Sequence, residues 1–149
     1  MSNVTLMKEN RKLVDYALMA GFFEGEGCIS TSTNKRKSSV GSVRASVIQC
    51  SKNGKPHKFL TLYKKYFGGY VRKSEFRGPG NHKYLRYTYI ANGAPADNLL
   101  RELLPFFEEK KERAKLAIKM GNIKLNKNGK DLRRPKKLRL AEEIRRLNH

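Results

Sequence analysis

The stretch Leu18-Met19-Ala20-Gly21-Phe22-Phe23-Glu24-Gly25-Glu26-Gly27 decides how the rest of the chain is read. It is unusual as a helix and unusual as a loop. Ala17, Gly21 and Gly25 recur every four residues, which on a helix makes one smooth stripe with almost no side chain. Such a stripe lets a second backbone approach closely. Leu13, Tyr16, Ala20 and Phe23 fall on a neighbouring face and read as core. Two carboxylates, Glu24 and Glu26, then arrive where glycine should stop the helix. A helix C-terminus already carries partial negative charge, so an exposed acid there costs a few tenths to about 1 kcal/mol. Two acids in that place point to a positive group that meets them. Each feature alone has an ordinary explanation, in core packing or in a solvated helix end. Their coincidence in so short a stretch carries the argument.

Outward from this stretch, the helix is expected from Asn10 to Glu24, with Asn10 as N-cap and residues 1–9 as a loosely held polar lead. Gly27 to Thr33 reads as a strand, with Ile29, Thr31 and Thr33 on one face and Cys28, Ser30 and Ser32 on the other. Asn34 to Ser39 is a basic turn containing Lys35, Arg36 and Lys37, whose ordinary role is a solvated tip. Val43, Ala45 and Val47 alternate with Ser42, Arg44 and Ser46, which is a half-buried strand. Gln49 continues the apolar parity at its inner end, near the top of the first helix.

A turn at Asn53-Gly54 precedes a helix over Lys58 to Phe67 with Phe59, Leu62, Tyr63 and Tyr66 inward. Strands follow over Tyr70 to Phe76 and His82 to Ala91. In the first, Val71 opposes Tyr70, Arg72, Ser74 and Phe76; in the second, Leu85, Tyr87 and Tyr89 oppose Tyr84, Arg86 and Thr88. Helices are expected over Ala96 to Leu104 and, opened by Pro105, over Phe106 to Met120. Gly121 to Lys137 is polar and basic, a linker or a DNA-contacting arm, and Leu138 to Leu147 is a short amphipathic helix. There is no internal repeat.

The order helix, two strands, helix, two strands, helix predicts an α+β fold, with a four-stranded antiparallel sheet and helices on one face. A core domain over 1–120 and a basic extension over 121–149 are expected.

The chain has 149 residues, 38% of them hydrophobic, which fits one domain with a real core. Its formal charge is +20, from 33 Lys and Arg against 13 Asp and Glu. Charge of that size repels itself in a compact fold and calls for a polyanion, nucleic acid first and an acidic membrane surface second. No apolar run approaches a membrane span and no signal-peptide segment is seen, so a location in bacterial or phage cytoplasm or in an organelle is expected. Cys28 and Cys50 lack metal spacing and read as reduced strand residues. The open sheet face would carry Ser30, Ser32, Ser42, Arg44, Ser46, Arg72, Ser74, Arg86 and Thr88, with no acid among them. Arginine reads guanine edges and hydroxyls read either base type, so this face suits a DNA major groove. Its bland alternative is a solvated face.

Met19 to Gly27 resembles the LAGLIDADG motif of homing endonucleases, position by position: Met for Leu, Phe for two apolar residues, Gly for the small one, Glu for both Asp. The family has the same αββαββα order, so the resemblance covers about residues 10–120. It implies a saddle-shaped sheet on DNA and two motif helices packed together. A chain with one motif is implied to be a homodimer, with Ala17, Gly21, Phe22 and Gly25 at the interface.

By the same resemblance Glu26 is the metal ligand, Gly25 offers a backbone carbonyl to that metal, and Glu24 has a structural role at the helix end. Gln49 corresponds to the residue near the attacking water and Lys110 to the basic residue after the Pro-Phe pair, so Glu26, Gln49 and Lys110 form the implied catalytic set. Lys52 and Lys55 are both candidates for a further basic residue. Asn34 and Tyr84 join the sheet residues as implied DNA contacts.

The expected function is site-specific cleavage of a long pseudo-palindromic duplex, one phosphodiester per strand, with Mg2+ or Mn2+ in its place. Both motif acids are Glu where Asp is frequent, a longer ligand of the same hard oxygen type. The competing readings are an intron RNA maturase and a catalytically inactive DNA-binding protein on the same scaffold. A histidine-rich nuclease or zinc site finds no support.

Overall fold

The structure is a computed structural model that describes residues 2–31, 41–51, 53–125 and 133–148. It begins with a 24-residue helix, α1 (Asn3–Glu26). Strands β1 (Gly27–Thr31) and β2 (Val43–Ser51), helix α2 (Lys58–Phe67), and strands β3 (Tyr70–Arg77) and β4 (Lys83–Asn92) follow. Helices α3 (Ala94–Leu103), α4 (Lys111–Gly121) and α5 (Arg134–Arg146) complete it, with short 3-10 turns at Pro79–Asn81 and Leu104–Phe106. The strands form one antiparallel sheet in the order β1-β2-β4-β3. The αββαββα expectation therefore holds.

The core lies between the helices and the apolar sheet face. Ile29, Ala45, Val47, Tyr89 and Ala91 on the sheet meet Met19, Ala20, Phe23, Leu60, Tyr63, Leu99 and Leu100 on the helices. Two phenols are buried here with their hydroxyls matched: Tyr63 donates to the Met19 carbonyl at 2.5 Å and Tyr89 to the Gly68 carbonyl at 2.9 Å. Burial pushes both phenols up from their ordinary pKa, so they stay protonated and remain donors.

Several boundaries differ from the sequence reading. Helix α1 starts at Asn3 rather than Asn10, because Ser2 is the cap: its Oγ accepts the Thr5 amide at 3.3 Å. The polar lead is thus two further turns of helix. Leu13 is not core; it is 55% exposed, with Val14 and Leu18 also turned outward. Helix α4 starts at Lys111 rather than Phe106, since Phe107 is extended and Lys110 is the N-cap. Helix α5 begins at Arg134, four residues earlier than Leu138. β1 is described to Thr31; Ser32, Asn34, the basic turn from Lys35 to Lys37, Lys52 and residues 126–132 lie outside the described residues.

The C-terminal segment joins the main core. Leu140, Ala141 and Ile144 are buried in the same cluster as the sheet, against β1 and α4. Thr31 Oγ1 donates to the Ala141 carbonyl at 3.3 Å and Asn148 Nδ2 to the Ile29 carbonyl at 3.0 Å, so α5 also covers the outer edge of β1. Ile144 is fully buried. Ile144→Ala is expected to lower the unfolding free energy by about 2–4 kcal/mol in denaturant titration, the loss typical of a core position. A loss under about 0.5 kcal/mol would make the extension a separate appendage.

Candidate active site

The end of α1 is held by a two-way clasp to the start of α4. The Glu24 carboxylate accepts the backbone amide of Glu108 at 2.8 Å and that of Lys110 at 3.1 Å. In return the Lys110 ammonium donates to the Glu24 carbonyl oxygen. Both exchanges follow helix electrostatics: an acid meets free amides at a helix start, and a cation meets free carbonyls at a helix end. Lys110 thus meets the negative end of α1 through the backbone, and neither motif carboxylate forms an ion pair among the described residues. Glu24 is half-buried and structural. Glu26, two residues on, is exposed and makes no hydrogen bond or ion pair among the described residues.

The glycines of this stretch have different reasons to be glycine. Gly27 N–H closes the helix onto the Phe23 carbonyl, and a Cβ at Gly27 would lie 2.5 Å from the Phe23 ring. That position is required by the chain's own packing. A Cβ at Gly21 or at Gly25 would meet nothing within 4 Å. Ala17, Gly21 and Gly25 are all exposed, and the smooth stripe lines an open groove with Pro105, Phe106 and Phe107. Phe22 is half-buried beside it, its ring stacked on His57 at 4.8 Å between centroids.

Gln49 sits on β2 two positions past the last β1 pair, Gly27 with Val47, at the level where α1 gives way to β1. Its Oε1 is buried without a hydrogen-bond partner among the described residues. It lines a cavity of about 430 Å3 with Lys55, His57, Lys58 and Tyr87. Tyr87 holds the rim by donating to the Gly54 carbonyl at 2.7 Å, and Ser51 Oγ donates to the Lys55 carbonyl at 2.7 Å. Of the two candidate lysines, Lys55 lines the same cavity as Gln49, and Lys52 lies outside the described residues. Sequence reasoning passed over His57, which caps α2 by accepting the Phe59 amide at 3.3 Å. Histidine is a rare cap, so no local signal marked it.

The open sheet face resolves into rows of directly paired residues. Ser30, Arg44 and Asn92 form one; Cys28, Ser46, Ile90 and Tyr70 the next; Ile48, Thr88 and Arg72 the third; Cys50, Arg86 and Ser74 the fourth; Tyr84 and Phe76 the last. No acid stands in any row. The ion pairs formed among the described residues, Arg101 with Asp97 and Lys115 with Glu112, lie on the helical side. Thr88 is on this face but only 6% exposed, because it stands mid-sheet between Ile48 and Arg72. Its hydroxyl is covered, unlike the exposed Ser42, Arg44, Arg72 and Tyr84. Ser30, Ser46, Ser74 and Arg86 are half-exposed.

The family model described as LAGLIDADG endonuclease matches residues 19–116, which spans the motif stretch, the sheet and the clasp. The chain belongs to the LAGLIDADG endonuclease family. Solved structures of homing endonucleases share its fold. One is I-CvuI in complex with the I-CreI target in the presence of Mg, with the DNA not cleaved; it is 23% identical, with a TM-score of 0.63 over 92% of this chain and 83% of that one. A second I-CvuI complex, with its own target and Ca, is 24% identical with a TM-score of 0.62 over 90% of this chain and 82% of that one. The archaeal intron-encoded I-Vdi141I, complexed with DNA, is 22% identical with a TM-score of 0.65 over 93% of this chain and 86% of that one. Among curated protein sequences, none matches the chain. Among the described residues no helix is long and apolar enough to cross a membrane.

The clasp separates the two motif acids by role. Glu24→Ala removes the acceptor of two backbone amides and is expected to cost about 1–3 kcal/mol of unfolding free energy. Glu26→Ala, at an exposed site without partners, is expected to stay within about 0.5 kcal/mol of the parent. Chemical denaturation of the two variants reads the difference directly, and equal losses would contradict the assignment.

Proposed function

We propose that this protein is a site-specific DNA endonuclease that acts as a homodimer and cuts one phosphodiester on each strand of a pseudo-palindromic duplex with a divalent metal. The observation that carries this reading is the contrast within the motif stretch. Gly27 is required by the chain's own packing, whereas a Cβ at Gly21 or Gly25 would meet nothing within 4 Å and exposed Glu26 has no hydrogen bond or ion pair among the described residues. A second α1, related by a two-fold axis, would lie along Ala17, Gly21 and Gly25 as a self-complementary contact and bring both Glu26 carboxylates together. The acid-free sheet face and the net charge of +20 supply the surface for a duplex. The family supports cleavage as the reaction, and the complexes of I-CvuI and I-Vdi141I with DNA support duplex DNA as partner.

The donor set fits a hard divalent cation. Glu26 offers a free carboxylate, and Gly25 lies in the last helical turn, where carbonyls lack intrahelical donors. Among the described residues no cluster of three or more His, Cys, Asp or Glu could hold a metal. Mg2+ suits such a sparse site, since it is usually bound by one or two carboxylates together with waters and phosphates. Bound there, the metal would supply Lewis acidity and a more acidic water. Gln49 offers a buried acceptor oxygen to orient a water. Lys110, fixed by Glu24, places positive charge beside the same helix end to offset charge developing on the phosphate.

Two outcomes are expected. Glu26→Gln should retain duplex binding in gel shift and lose cleavage of a randomised target library in Mg2+; cleavage at the parental rate would end the assignment. Gly21→Leu should hold the helices apart, giving monomers in light scattering and no double-strand cuts. If that variant stays dimeric and fully active, the interface lies elsewhere.

A further inference from the structure

Two arginines on the open sheet face are already oriented before any ligand arrives. Arg44 and Asn92 are directly paired across β2 and β4, and Arg44 Nε donates to Asn92 Oδ1 at 2.8 Å. This commits the side edge of the guanidinium to the protein. Its terminal nitrogens have no acceptor among the described residues, and they present the end-on pair of donors that matches guanine O6 and N7. A cavity of about 220 Å3 lies beside them, lined by Ser30, Thr31, Ser42, Arg44 and Asn92. At the opposite end of the face, Arg86 lays its guanidinium on the Phe76 ring, 4.3 Å from the centroid. Phe76 is fixed in turn by its paired neighbour Tyr84, with ring centroids 5.4 Å apart and planes 24° from parallel. That contact holds Arg86 against the ring, and its guanidinium makes no hydrogen bond among the described residues. Arg72 is exposed and has no such support among the described residues.

We propose that Asn92 and Phe76 are positioning residues that make Arg44 and Arg86 the specificity-determining guanine readers of this protein, whereas Arg72 supplies charge with little discrimination. This deepens the duplex-binding reading above and rests on it. An arginine held in one geometry has lost its rotamer freedom in advance, so its binding energy is concentrated on the base edge that fits that geometry. A free arginine of the same charge bonds to whatever acceptor is near, phosphate included.

The test selects bound sites from a fully randomised duplex library and sequences them, for the full-length protein and each variant, after thermal melts show cooperative folding. Parental selection should give guanine at two positions per half-site. Arg44→Ala and Asn92→Ala should flatten the same position, each by about tenfold or more. Asn92→Asp keeps an acceptor for Nε and should keep that preference while weakening binding overall. Phe76→Ala should flatten the position that Arg86→Ala flattens, and Phe76→Tyr should restore it. Arg72→Ala should weaken binding with the profile unchanged. If Asn92→Ala and Phe76→Ala leave the parental profile intact, the proposal fails while duplex binding stands. A parental protein that selects no sequence overturns both.

Discussion

The clasp between Glu24 and Lys110 is the constraint on which the site depends. It joins residues 86 apart in sequence through two carboxylate oxygens, two backbone amides and one ammonium. Either half alone would be a modest surface interaction. Together they tie the last turn of α1 to the start of α4, and Glu26, the last residue of α1, stands two residues past the clasp. An acid at a helix C-terminus is ordinarily unfavourable, and here Glu24 is kept because its carboxylate turns away from its own helix toward another helix's amides. Glu26 is exposed and has no such partner among the described residues.

The sheet turns this local order into a surface. Its helix-facing side is sealed by Tyr63, Tyr89 and Phe23, so side chains on the other side are set by strand pairing alone. The outward rows place apolar Ile48, Ile90 and covered Thr88 toward the middle, with Arg44 in the first row, Arg72 in the third and Arg86 in the fourth. Charge is therefore spread along the face rather than massed at one point. A long, regular polyanion is the shape that such a spread matches.

Periodicity made much of this legible in the sequence. The alternation from Val43 to Val47 fixed β2 and its faces, and small residues with acids in one short stretch marked the end of α1. What escaped was set by contacts distant in sequence. Helix α4 was placed too early because nothing near Phe107 shows that Glu24 captures the amides just beyond it. Leu13 was placed in the core because α1 has two apolar faces, and spacing alone does not tell which one packs inward. Asn92 lies just past the strand read as His82 to Ala91, beside Gly93. Its bond to Arg44 depends on the register between β2 and β4, which no local pattern encodes.

The two ends of the chain differ as places to attach something. Ser2 caps α1 at one end and Glu26 closes it at the other, which by helix rise puts them about 36 Å apart. A fluorophore attached at Ser2 would sit at the tip of that rod, far from Glu26. Joined after Asn148, the same cargo would crowd a residue that stitches α5 to the outer edge of β1. For a tethered or fused version of this protein, the N-terminal end is the mechanically quiet handle.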